Sequence, residues 1–259
     1  MSGPDALPEE QAPPRKRLGC WKKAGIALFL FLAVAGVLVY VYVVPFVRYV
    51  HAQLDVYYGC GFALRLYAQE HNGQYPPLSS EPGKLMVDAE TLYPEYMTDY
   101  EAWTYRGDPM PGTSEEREQN PAIFVDDQSY FYLGYVILDE REARAFAEAY
   151  KKRIAEGGDF TDDLEVAPGQ GNAGGDTIFR LRTNIERIIA GIDGREADDA
   201  YASELAARIP VILQRPREDL KKPIAITLDG TFMPQAQMGR FPYTPEMVDI
   251  LLELDALGQ

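Results

Sequence analysis

Ala24 to Val44 is an uninterrupted run of 21 apolar residues, AGIALFLFLAVAGVLVYVYVV. As a helix rising about 1.5 Å per residue it spans the roughly 30 Å hydrocarbon core of a bilayer. Lipid offers the backbone no hydrogen-bond partners, so a run of this length without a charge is read as a membrane-spanning helix. It exceeds the apolar region of a cleavable signal and leads into Pro45-Phe46-Val47-Arg48 without an A-x-A-like site, which predicts a retained anchor. Arg15, Lys16, Arg17, Lys22 and Lys23 precede the run and only Arg48 follows closely. The positive-inside bias then puts the N-terminus in the cytoplasm and residues 45–259 outside it.

Charge narrows the partners. The chain carries 25 Lys+Arg and 40 Asp+Glu. Taking away the five basic and three acidic residues of 1–23 leaves 20 against 37, a formal −17 for the rest. Nucleic-acid binding and binding of anionic lipid headgroups both need clustered cations and are disfavoured. Contact with membrane lipid is expected through residues 24–44 alone. The two cysteines, Cys20 and Cys60, fall on opposite sides of the expected membrane, so no disulfide framework is available and Cys60 is read as a buried small hydrophobe. Residues 1–23 read as a disordered tail with a basic end.

Beyond Pro45 the apolar positions Phe46, Val50, Leu54, Tyr57, Tyr58, Gly61, Phe62, Leu64 and Tyr67 keep helical spacing to about Glu70. This predicts an amphipathic stem over 45–71, kinked near Pro45, with Phe62, Leu64 and Tyr67 buried. Asn72-Gly73 and Pro76-Pro77 end it. The remaining chain, 72–259, reads as an α+β domain. Ala122–Asp126, Ser129–Leu138, Pro210–Gln214, Ile224–Leu228 and Thr231–Gln235 are expected strands, the last two joined at Asp229-Gly230. Expected helices are a short one at about 88–98, one capped by an Asp139/Glu142 box and running to about Glu156, one opening at Asp176-Thr177, Ser203–Arg208, and one capped by Thr244 with Pro245 at its first position.

A long N-terminal helix, half in a membrane and half against an α+β domain, resembles the plan of type IV pilin-like proteins. The stretch Gly61-Phe-Ala-Leu-Arg-Leu-Tyr67-Ala-Gln-Glu-His-Asn-Gly73-Gln-Tyr-Pro-Pro77 is similar to that of bacterial proteins related to the major pseudopilin of type II secretion, with matches at Tyr67, Ala68, Asn72, Gly73, Tyr75 and Pro76. Near the C-terminus, Leu228-Asp229-Gly230-Thr-Phe resembles the end of that family, whose tag is His, nine residues, then Asp-Gly; Asp219 stands at the His position. The resemblance implies a non-enzymatic component or relative of a type II secretion or type IV pilus-like system. Such a protein works by contact with other pilin-like or secretion-apparatus proteins, in a bacterial inner membrane with a periplasmic domain. The family's cleavage site is absent. Gly19 is followed by Cys20-Trp21-Lys22-Lys23-Ala24, without the Glu expected five residues on.

Two other readings compete. One is a tethered ligand- or calcium-binding module outside any filament. Asp159, Asp162, Asp163 and Glu165 could supply oxygen ligands to Ca²⁺, and the resemblance adds that some major pseudopilins bind calcium in a C-terminal loop, although the EF-hand spacing is absent. No other cofactor is expected. Gly169-Gln-Gly171-Asn-Ala-Gly174 fits a dinucleotide fingerprint by spelling, but it lacks a preceding strand and sits beside acidic residues, so it is read as a loop. The other reading is an anchored hydrolase using two carboxylates, with no residue singled out. His51 and His71 lie on the expected stem, and His71 suits a helix C-terminus. Arg106-Gly107-Asp108 is read as a turn.

Overall fold

The computed structural model describes residues 20–97, 100–105, 108–194, 198–217, 220, 222–231 and 237–258. Asp219 and the expected strand residues 232–235 therefore lie outside the described residues. The chain forms two compact units, 1–49 and 50–259.

One helix, Ala24–Glu70, is long and apolar enough to cross a membrane. It is built from α1 (Cys20–Leu38), a π-helical turn Val39–Val43, α2 (Val44–Val56), a second π turn Tyr57–Gly61, and α3 (Phe62–Glu70). Pro45 falls in the first turn of α2 directly after the first π turn. Such a turn is one way a helix accommodates a residue that brings no N–H. In the second unit the helix buries Ala52, Val56, Cys60, Ala63, Leu64 and Ala68. Gly59, Cys60 and Gly61 are all buried in the second π turn, and a Cβ at Gly61 would stand 3.7 Å from Ile226. That distance is ordinary van der Waals contact, so the turn packs directly on Ile226 of the sheet. The Cys60 thiol donates to the Ala102 carbonyl at 3.5 Å. Of the three aromatic and aliphatic residues expected to be buried, Leu64 is, Tyr67 is half-buried, and Phe62 is 50 % exposed.

The sheet against the stem is antiparallel, with order β1 (Tyr130–Tyr132), β4 (Pro210–Gln214), β5 (Ala225–Thr227). Tyr130 pairs with Gln214 and Tyr132 with Ile212, while Leu213 pairs with Ala225 on the other side. All residues of the three strands are buried. A sheet covered on both faces reads as a continuous apolar run. A separate two-stranded ladder joins β2 (Leu164–Glu165) to β3 (Thr177–Ile178). Helix α6 (Glu140–Ala155) packs along α9 (Pro245–Asp255), tied by Arg144–Glu246 at 2.6 Å and Lys151–Glu253 at 2.7 Å. Helices α7 (Ile185–Ile192) and α8 (Asp199–Ala206) pack together. The fold is thus α+β: a long apolar N-terminal helix, an antiparallel sheet and added helices.

Several expected elements differ. Ala122–Asp126 is not a strand, because Pro121 opens a 3₁₀ turn over Pro121–Phe124 and the Asn120 side chain caps it through Ala122 N–H at 3.2 Å. Ser129–Leu138 keeps strand pairing only over Tyr130–Tyr132. Gly134 at φ +71° then turns the chain, and Val136 N–H bonds Phe179 O instead. No helix opens at Asp176-Thr177. Thr177 and Ile178 pair as β3, and the helix begins at Ile185, because apolar residues at Ile178 and Leu181 satisfy a buried extended segment as well as a helix face. The helix expected at 88–98 is the single turn α4 (Ala89–Leu92), ended ahead of Pro94, which disfavours helical backbone at Tyr93. Asp139 caps α6 through Glu142 N–H at 2.8 Å. The return half of the box is displaced: the Glu142 carboxylate accepts from Leu138 N–H at 2.7 Å.

Candidate functional site

The residues carrying the family resemblance gather where the stem meets the domain. Asn72 (φ +55°) and Gly73 (φ +79°) adopt the left-handed backbone that terminates α3, and a Cβ on Gly73 would crowd the Thr183 hydroxyl. The chain then runs inward: Tyr75 is buried, and the Pro76 carbonyl accepts from the Tyr132 hydroxyl at 2.7 Å. Tyr67 stacks on His71 with ring centroids 3.7 Å apart and meets Tyr96 edge-on at 5.5 Å. His71 Nδ1 lies 2.8 Å from the Tyr67 carbonyl, a helix-end position as expected. Asp229 takes Thr227 Oγ1 at 2.6 Å and Thr231 N–H at 2.9 Å, which folds the turn, and Gly230 sits at φ +82° directly under the Arg65 guanidinium. These are positioning contacts that lock the stem to the sheet.

The acidic loop is partly committed. Asp163 pairs with Arg182 at 2.5 Å and accepts Arg180 N–H at 2.7 Å. Asp159 accepts from Thr161 N–H and Oγ1, which holds its carboxyl below the usual range. Asp162 contributes its backbone carbonyl to Tyr135, and Glu165 is an exposed residue of β2. Among the described residues no three His, Cys, Asp or Glu side chains group as metal ligands. Gly169 to Gly174 is a loop leading into a strand, with Gly171 wedged against the Thr177 backbone. Asp108 accepts from Ser129 Oγ at 2.7 Å and pairs with Arg217, while Arg106 and Gly107 lie outside the described residues.

A cleft of about 620 Å³ on the domain was not legible beforehand. Its walls carry Lys84, Asp126, Asp127, Arg215 and Asp255. Asp127 accepts Leu85 N–H at 2.9 Å through its side chain and Arg215 at 3.2 Å through its carbonyl. Arg215 also pairs with Asp255. Gly83 and Gly258 touch backbone to backbone, which brings the end of α9, and with it Asp255, to the cleft. Burial pushes Asp126 up to about 6, with the neighbouring Asp127 adding to the effect and the Gln128 N–H, which donates to its Oδ1 at 3.1 Å, opposing it. The arrangement holds one carboxyl that gives up its proton only near pH 6 beside carboxylates balanced by Arg215. The visible signal was the pair Asp126-Asp127; its partner Asp255 is more than a hundred residues away.

The stem has a second, open face. Leu54, Tyr58 and Phe62 recur every four residues and are 37, 64 and 50 % exposed. No protein family, curated protein or solved structure matches the chain.

Proposed function

We propose that this is a non-enzymatic, single-pass protein of a bacterial inner membrane, pseudopilin-like in plan. Its domain is periplasmic and it works by protein contact in or beside a type II secretion or type IV pilus-like apparatus. The observation that carries this reading is the open apolar face Leu54–Tyr58–Phe62 on the helix that follows the anchor. Tyr58 stands 14 residues beyond Val44, about 21 Å along a helix, whereas each interfacial layer is only about 5–8 Å thick. Lipid does not cover such a face, and exposed apolar stripes of this kind mark protein contacts. The occupant we assign is the apolar face of another membrane-anchored helix.

Photo-crosslinking from benzoylphenylalanine at Phe62, in intact membranes, tests this. The expected product is a crosslink mapped to a helix of another single-pass protein, with none from the same probe at exposed Glu148. Crosslinks to lipid alone, or none, contradict it.

The raised Asp126 in the cleft favours a second reading, a tethered ligand-binding module or carboxylate hydrolase. Under that reading Asp126→Asn abolishes a turnover or binding signal while leaving the Phe62 crosslink intact.

A further inference from the structure

A cavity of about 370 Å³ opens where α3 ends, bordered by the exposed residues Glu70, His71, Gln74 and Thr161 and based on buried Tyr75 and Arg180. Arg180 is 6 % exposed, yet its guanidinium meets neutral acceptors only. Nη2 donates to the Tyr75 carbonyl at 2.7 Å, and Nη1 to the Thr161 carbonyl at 2.5 Å and to the Gln74 amide oxygen at 3.3 Å, while Nε–H has no partner. No carboxylate of the described residues forms an ion pair with it, and the acids of the neighbouring loop are committed elsewhere. Asp163 pairs with Arg182 and takes the Arg180 backbone N–H, and Asp159 is held by Thr161 and feels Arg180 through space without pairing with it. On the cavity wall, Glu70 accepts from the Tyr96 hydroxyl at 2.9 Å. A guanidinium is always charged, and a charge taken out of water is costly unless it is paired, so this buried cation calls for an anion.

We propose that this cavity binds an organic monocarboxylate, with Arg180 as the group that recognises it. The contact to Gln74 is the longest of the three and is made by an exposed side chain, so it is the one an incoming carboxylate replaces. The ligand oxygen takes the Gln74 position on Nη1 and supplies the negative charge that an amide lacks. One guanidinium beside the Glu70 carboxylate suits a single negative charge; a doubly charged phosphate would find no second Lys or Arg on the lining. The rings of Tyr67, His71, Tyr75 and Pro77 offer carbon surface to the body of an organic acid. A small free acid and the C-terminal carboxylate of a peptide share this chemistry. The site stands whether or not the stem reading above holds.

The test is ligand-observed saturation-transfer NMR on the full chain in detergent, blanked against protein-free micelles, with benzoate, its neutral isostere benzamide and Nα-acetylphenylalanine as probes and inorganic phosphate as competitor. Expected are saturable binding of benzoate and an affinity for benzamide about tenfold lower, as loss of one hydrogen bond to a charged group implies. Gln74→Glu places a carboxylate on Arg180 from within the chain and should weaken benzoate about tenfold or more, whereas Gln74→Ala, which removes the amide without adding charge, should bind benzoate at least as tightly. Binding of acetylphenylalanine as well assigns the site to a peptide C-terminus; binding of benzoate alone assigns it to a small free acid. Absence of saturable binding, equal binding of benzamide, tighter binding of phosphate than of benzoate, an unchanged benzoate affinity in a folded Gln74→Glu variant, or an equal loss in Gln74→Ala overturns the proposal. Should Gln74→Glu not fold, the comparison of benzoate with benzamide on the unmodified protein decides.

Discussion

Gly230 shows how one residue joins two elements. Its positive φ closes the Asp229 turn, and Arg65 of the stem lies where a side chain would project. Gly230→Val should lower the unfolding free energy by about 1–2 kcal/mol from the left-handed backbone alone, with Arg65 displaced in addition. Thr231→Ser should change it little, because the hydroxyl facing Asp229 remains. Chemical denaturation of both variants checks this. Glu142 makes a pH prediction. It is 2 % exposed, and burial pushes it from 4.5 up to about 7 despite the Leu138 N–H. The folded protein therefore holds this proton more tightly than the unfolded chain. The stability tied to it is present below pH 4.5 and is lost as pH rises through 7, by up to about 3 kcal/mol. Denaturation from pH 4.5 to 7.5 should show Glu142→Gln losing less stability than the parent over that interval; parallel curves would contradict the assignment. The turn at Asp229-Gly230 was legible because its chemistry is local. The cleft formed by Asp126, Arg215 and Asp255 was not, since no local pattern announces a partner supplied by a distant element.

At the scale of elements, the stem divides into a face that folds the domain and a face that does not. Leu64 is fully buried, so Leu64→Asp should cost about 3 kcal/mol or more by placing an unpaired charge in the core. Tyr58→Asp, on the open face, should leave the melting temperature within a degree or two while abolishing crosslinking from Phe62. Equal thermal losses in the two variants would mean that both faces are packed. Helical periodicity alone placed Phe62 with Leu64 in the core. The π turn Tyr57–Gly61 adds a residue to the turn and moves the buried face, a shift that a 3.6-residue period does not contain. The long apolar N-terminal helix, α6, α9 and strands β4 and β5 were legible for the opposite reason: each has a long apolar run, a capping residue or a turn dipeptide of its own. In segments 122–126 and 176–181 short apolar stretches satisfy extended and helical packing alike, and only Asn120, Pro121 and the partner β2 decide between them.

For the whole molecule, the proposal is an uncut chain held by residues 24–44. In pilins, cleavage after a Gly frees an amine that a Glu five residues on offsets. Here that position is Ala24, and Lys22 and Lys23 belong at the cytoplasmic headgroups, because unpaired ammonium groups are costly in an apolar bundle. The intact mass of protein purified from membranes should therefore match the full chain, less at most the initiator Met, and a species starting at Cys20 would return it to the processed, filament-forming group. Both possibilities presuppose that the domain is exported. Two fusions after Gln259, one to a reporter active only outside the cytoplasm and one to a reporter active only within it, measure this directly in living cells. The account predicts activity from the first and silence from the second; the reverse pattern would contradict it.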